Sequence, residues 1–142
     1  METGRTRSAY DALGYHREVN PADSVWLGEN AGEVVGIVRV SEEGGVLVLR
    51  GMRIAEAFRR QRIGTRLVQA IAEWLGDRSC YCIPYSHLTE FYGQAGFTEI
   101  EPDGAPQFLA ERLAEYRRSG LDVLLMQRPA YFLGARPSVS SM

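Results

Sequence analysis

Residues 46–75 read VLVLRGMRIAEAFRRQRIGTRLVQAIAEWL. The opening VLVL run, continued to Ile54, has the length and composition of a buried strand. Further on, Ile63, Leu67, Ala70, Ile71 and Trp74 recur at the spacing of one helix face, while Arg66, Gln69 and Glu73 take the other. Between strand and helix lies Arg59-Arg60-Gln61-Arg62-Ile63-Gly64-Thr65. The first N–H groups of a helix have no acceptor within it, and the helix dipole adds positive potential there. No Ser, Thr, Asp or Asn at 55–58 offers a capping oxygen, and three arginines add charge where the dipole disfavours it. A bound phosphate resolves both conflicts; a solvated basic turn is the plainer alternative.

Outward from this stretch, 24–29 and 33–40 read as strands, joined by Asn30-Ala31-Gly32 with Asn and Gly available for positive φ. A second turn at 41–45 leads into 46–54, so the three strands form an antiparallel meander. Gly51, in mid-strand, marks a bulge or a close approach of a ligand. Ahead of the meander, 9–13 reads as a short helix stopped by Gly14, and Tyr15 and His16 follow.

Past the long helix, 79–83 is a short strand ended by Pro84. Strand–helix–strand order predicts a parallel pairing of 46–54 with 79–83, and ligands enter such sheets at the C-terminal strand ends. Ser86 is the expected N-cap of the next helix, whose inner face is Leu88, Phe91, Tyr92 and Ala95 and whose C′ residue is Gly96. A strand at 97–100, a helix from Pro106 to Ser119 stopped by Gly120, and a strand at 122–128 complete the pattern. The tail 130–142 has no period.

A chain of 142 residues fits a single domain, 1–142, with one core. The net charge of −2 argues against general nucleic-acid binding. No apolar run is long enough to span a bilayer, and the polar start is unlike a secretory signal. Two Cys and two His at these spacings do not make a zinc site. Cys80 and Cys82, two apart on one strand, have poor disulfide geometry, so buried reduced thiols are expected; a reducing cytoplasm or organelle interior fits, with the cytoplasmic location expected.

The stretch from Phe58 to Leu67 resembles motif A of the GNAT superfamily, the acyl-CoA N-acyltransferases. That motif is Arg/Gln-x-x-Gly-x-Gly/Ala, and it is matched by Arg59-Arg60-Gln61-Arg62-Ile63-Gly64. Arg62 stands where the first Gly is usual; it supplies the needed backbone N–H if its φ is negative, which is the expectation here. Phe91-Tyr92-Gly93-Gln94-Ala95-Gly96-Phe97 resembles motif B, aromatic-Tyr-x-x-x-Gly-Phe, in the right order and at the expected distance. The resemblance covers roughly residues 26–128, with the region 1–23 abbreviated.

The resemblance implies an α+β fold, with a mixed sheet, an antiparallel N-terminal meander, parallel central strands and helices on both faces. It implies an acetyl-CoA-dependent N-acetyltransferase acting on a primary amine of a small molecule or protein by direct attack in a ternary complex. The cofactor pyrophosphate would rest on N–H groups of Arg59, Arg60, Gln61, Arg62, Ile63, Gly64 and Thr65. The pantetheine arm would pair with Met52, Arg53 and Ile54, and Tyr92 would protonate the departing thiolate. No metal is implied.

The base that deprotonates the amine stays open between Glu56, His87 and a water relay, with a solvated Glu and a helix-start His as the plainer readings. A non-catalytic acyl-CoA sensor is the alternative function. Nucleic-acid binding through Arg59, Arg60, Arg62 and Arg66 lacks the aromatic–basic interleaving it would need. Family members often dimerise, so a homodimer is compatible, but no interface signal stands out.

Overall fold

The structure is a computed structural model that describes residues 2–14 and 19–130, and among residues 2–5 the backbone only. Tyr15, His16 and the tail from 131 lie outside the described residues. Two compact units are present, Met1–Ile71 and Ala72–Met142.

In the first unit, helix α1 (Glu2–Ala12) precedes strands β1 (Ser24–Asn30), β2 (Glu33–Glu43) and β3 (Val46–Ile54). α1 is longer than the sequence suggests, and Gly14 follows it with φ +82°. The strands form the expected antiparallel meander. Its first turn differs in detail. Asn30 pairs directly with Glu33, so the two-residue loop is Ala31–Gly32, and Ala31 rather than Asn30 takes positive φ (53° and 83°). That is the backbone of a type I′ hairpin, whose twist matches that of the strands. The second turn is Gly44–Gly45 (φ 57° and 84°), so β2 runs three residues further than 33–40 and buries Ser41.

β2 is covered on both faces, which is why EVVGIVRV is nearly continuous in apolar residues. On one face Ile37 joins Ala9 and Tyr10 of α1, with Leu13, Val25 and Leu27 around them. On the other, Gly36 meets Ile63 and Leu67 at the start of helix α2 (Ile63–Leu75).

The buried residues of α2 are Leu67, Val68, Ile71 and Leu75, whereas Trp74 is 38% exposed. The apolar stripe is thus centred about one residue away from the face predicted. The reason lies at the helix end. The Arg78 guanidinium sits 4.1 Å from the Trp74 ring centroid and donates to the carbonyls of Trp74 (2.7 Å) and Leu75 (3.2 Å). The indole serves as a platform for this cation, which caps the last turn.

The second unit holds β4 (Cys80–Cys82), α3 (Thr89–Gly93), β5 (Thr98–Glu99), α4 (Gln107–Arg118) and β6 (Met126–Arg128). β6 lies between β4 and β5 and is antiparallel to both. The strands are shorter than expected, for a visible reason. Cys82 pairs with Met126, and Tyr85 bridges Val123 in the same register. Between them stands Pro84, which has no N–H to give, though its carbonyl still accepts from the Leu124 N–H at 3.0 Å. One ladder is therefore interrupted at a proline, and 122–128 counts as strand only at its end.

Ser86 does not cap α3. A 3-10 turn at Ser86–Leu88 precedes that helix, Leu88 holds the cap position, and the Ser86 hydroxyl donates to the Asp122 carboxylate at 2.7 Å. α4 follows the prediction more closely, with Leu109 and Leu113 buried. It closes through Gly120 (φ +97°), whose N–H reaches Arg117, while the Leu121 N–H reaches Tyr116.

Candidate active site

The first unit brings Met52, Arg53, Ile54 and the run Arg59–Thr65 into one continuous segment at the end of β3. Two paired glycines decide how close α2 comes to it. Gly28 and Gly36 face each other across β1 and β2, and a Cβ on either would stand 2.9 Å from Cγ2 of Ile63. The missing side chains leave a shallow seat, and the first residue of α2 fills it.

β3 leaves the sheet with the Ala55 N–H on the Val35 carbonyl (2.8 Å), then coils through a 3-10 turn at Glu56–Phe58. The N–H of Arg59 bonds Glu56 and that of Gln61 bonds Phe58. The Arg59 side chain turns back, Nε donating to the Ile54 carbonyl at 3.3 Å. Arg60, Arg62 and Arg66 are exposed around the same corner.

Arg62 has φ +65°, not the negative value expected. The turn into α2 needs a left-handed residue at this point, which is the physical reason glycine is usual there. Arg62 still does what the helix requires. Its carbonyl accepts the first helical bond, from the Arg66 N–H at 3.0 Å. The N–H groups of Ile63, Gly64 and Thr65 have no acceptor among the described residues. Three such donors at a helix start, with exposed arginines next to them in the chain, suit an anion with several oxygens.

Gly51 interrupts β3 as expected. Ile37 pairs with Arg53 but Arg39 pairs with Arg50, so Val38 faces both Gly51 and Met52. Gly51 has φ +67°, the backbone of a glycine bulge.

Tyr92 belongs to the second unit, on α3. It is 5% exposed and makes edge-on contacts with Phe91 (4.9 Å) and Phe97 (6.1 Å). The helix end fixes it. Gly96 (φ +94°) donates to the Gly93 carbonyl and Phe97 donates to the Tyr92 carbonyl, the two bonds of a Schellman motif. The Tyr92–Phe97 ring contact is the apolar closure of that motif. Buried Arg128 adds a bond from Nε to the Ala95 carbonyl at 2.9 Å. The spacing Tyr-x-x-x-Gly-Phe therefore has a mechanical meaning: it locks one tyrosine in place. Burial, and secondarily the neighbouring Cys82, push the Tyr92 hydroxyl well above its ordinary pKa.

Cys80 and Cys82 are buried and form no disulfide, as expected; burial, then Cys80, raises the Cys82 pKa. Glu56 is exposed in the turn after β3. His87 is exposed too, stacked on Tyr85 at 5.9 Å. Among the described residues no group of three His, Cys, Asp or Glu could hold a metal ion, and no helix is long and apolar enough to cross a membrane.

Comparison with known proteins brings these pieces under one heading. The model of the acetyltransferase (GNAT) family matches residues 2–97, which include both motifs. The chain belongs to the GNAT family. It is accordingly an acyltransferase, with the mixed-sheet α+β fold that the sequence led one to expect. A comparison with curated proteins finds no match.

Among solved structures, the GNAT chain is similar to Rv2747 from Mycobacterium tuberculosis, determined with CoA. The identity is 18% and the TM-score 0.66, covering 92% of this chain and 95% of that one. N-acetylglutamate synthase from Neisseria gonorrhoeae, with coenzyme A and N-acetyl-glutamate, is 16% identical with TM-score 0.59. There the match covers 76% of this chain but only 26% of the synthase. An aminoglycoside 6'-N-acetyltransferase with coenzyme A is 17% identical with TM-score 0.55, over 76% of this chain and 73% of that one.

Sequence reading missed the Gly28–Gly36 seat and a buried charge cluster at Arg39. A signal existed for the second: an arginine set inside the apolar strand EVVGIVRV. None existed for the first, because glycines in two strands become partners only once the register is known.

Proposed function

We propose that the protein transfers an acetyl group from acetyl-CoA to a primary amine, by direct attack within a ternary complex. The observation that carries this reading is the start of α2. There, three N–H groups without acceptors among the described residues follow the left-handed Arg62, with exposed arginines next to them in the chain. A pyrophosphate on the N–H groups of Arg60, Arg62, Ile63, Gly64 and Thr65 fits this corner, whereas those of Arg59 and Gln61, expected from the sequence to join them, already bond the carbonyls of Glu56 and Phe58.

From this anchor the peptide-like pantetheine arm extends along Met52, Arg53 and Ile54, where the Gly51 bulge already breaks the ladder to β2. A backbone N–H of this segment polarises the thioester carbonyl. The amine attacks, and the tetrahedral adduct expels the CoA thiolate. Tyr92 is the proton donor to that sulfur. Its burial keeps it protonated at neutral pH, and the same burial makes a tyrosinate costly. The proton it gives is therefore replaced in the same event by the one the attacking nitrogen sheds. Glu56, His87 and a water relay are the candidates for taking the proton from the incoming ammonium.

The acceptor is an amine of a small molecule or a protein. Relatives named for glutamate, aminoglycoside and streptothricin acetylation set the range of first probes. Two buried thiols that form no disulfide are in keeping with a cytoplasmic enzyme.

The test is thermal unfolding with and without acetyl-CoA, followed by thiol release with those amines as probes. At a hundred times its dissociation constant, a cofactor that binds only the native state adds about 2.7 kcal/mol. A raised melting temperature and amine-dependent thiol release are expected. No shift at millimolar acetyl-CoA overturns the reading.

A further inference from the structure

Arg39, in the middle of β2, is 1% exposed and is the largest fully buried side chain among the described residues. A cation there needs a partner, and Asp23, whose side chain is buried though its backbone is not, provides one with Oδ2 2.9 Å from Nε. Tyr10 of α1 lies against the arginine, the guanidinium carbon 5.5 Å from its ring centroid. Both polar tips converge on one place. A Cβ added to Gly51 would meet Arg39 Nη1 at 2.6 Å and the Tyr10 hydroxyl at 2.7 Å. The bulge of β3 is thus filled by a charge cluster assembled from α1, the residue before β1, and β2.

A buried ion pair is poor evidence of stabilisation, since apolar side chains of the same volume often do as well. Its use is better sought in what it holds. Gly51 and Met52 are the two residues that together face Val38. The cluster therefore sets the backbone direction of the segment that, on the reading above, presents an N–H to the thioester carbonyl. We propose that Arg39, held by Asp23 and Tyr10, is a positioning residue for catalysis: it fixes the Gly51 bulge and through it the aim of the Met52 N–H. This rests on the proposed acetyl transfer, and touches neither cofactor nor amine directly.

The test uses the full chain and two readouts. One is the slow release of CoA thiol from acetyl-CoA with water as acceptor, which needs no knowledge of the amine. The other is amide hydrogen exchange at 50–54, which needs no activity. Removing Arg39 alone would strand the Asp23 charge, so the main variant is the double replacement Arg39→Met with Asp23→Leu. Tyr10→Phe is the second, since it removes only a hydroxyl.

In the double variant we expect kcat to fall at least tenfold, KM for acetyl-CoA to stay within twofold, and exchange at 50–54 to quicken at least tenfold while β1 stays protected. Tyr10→Phe should move both readouts the same way by a smaller factor. If kcat is unchanged while exchange quickens, the cluster serves the fold and not the reaction, and the proposal fails. It fails equally if kcat falls with exchange at 50–54 unchanged. Should the double variant not fold, Tyr10→Phe decides by the same two criteria. A wild-type chain whose melting does not respond to acetyl-CoA sinks the acetyl-transfer reading itself, and exchange then tests the clamp alone.

Discussion

Ile63, the first residue of α2, rests on Gly36 of β2: its Cγ2 lies 2.9 Å from the place a Cβ on Gly36 would take. The approach of α2 to the sheet is set by this contact and by its twin at Gly28.

Gly36→Ala should therefore displace the first turn of α2. Ile63 is branched at Cβ and cannot swing away freely, and Ile54 Cδ1 (3.0 Å) and Leu67 Cδ1 (3.2 Å) close the other sides. Overpacking of this kind costs about 1–3 kcal/mol, offset in part by about 0.5–1 kcal/mol from losing a strand glycine. Urea unfolding should register a net loss of about 1 kcal/mol, and calorimetry a weaker affinity for acetyl-CoA. Adding Ile63→Ala to that variant should restore part of the affinity by reopening the seat.

Arg62→Gly should stabilise the protein. A non-glycine residue in the left-handed region costs about 1–2 kcal/mol, and the substitution also removes a cation from the helix N-terminus. Against this stands about 0.5–1 kcal/mol of extra freedom in the unfolded chain. Denaturant midpoints should rise by the equivalent of about 1 kcal/mol. Ala31→Asn, at the left-handed position of the first hairpin, should act in the same direction without touching cofactor affinity.

Tyr92→Phe separates chemistry from binding. Loss of a general acid typically lowers the rate by about 10²–10⁴. The KM for acetyl-CoA should hold, and so should the melting temperature, because the ring contacts with Phe91 and Phe97 survive.

Alkali should loosen the fold in two steps. Tyr92 and Cys82 both have pKa values raised by burial, so the folded state keeps protons that the unfolded chain releases. Their contribution is fully present at lower pH. It falls once the unfolded thiol ionises near ~8.5, and falls further once the unfolded phenol ionises near ~10. Melting temperatures measured from pH 7 to 11 should decline over that span. Tyr92→Phe should flatten the upper part, and Cys82→Ala the lower.

Much of this was legible from residues alone, because the decisive signals were local. Gly96 marked the end of the helix that carries Tyr92, and Gly51 marked the bulge. What escaped depended on partners far apart in sequence. Asp23 finds Arg39 only after β1 and β2 pair, and Pro84 breaks a ladder whose other side is forty residues away. Arg62 escaped for another reason. The left-handed turn is a demand of the loop, and an arginine that meets it leaves no mark in composition.

The central claim is that the cofactor phosphates sit on the first N–H groups of α2. Amide resonances followed while CoA is titrated into the labelled protein test this most directly. Ile63, Gly64 and Thr65 should shift most, and saturably. A saturable response that leaves these three amides unmoved, or no response at all at millimolar CoA, would contradict the account.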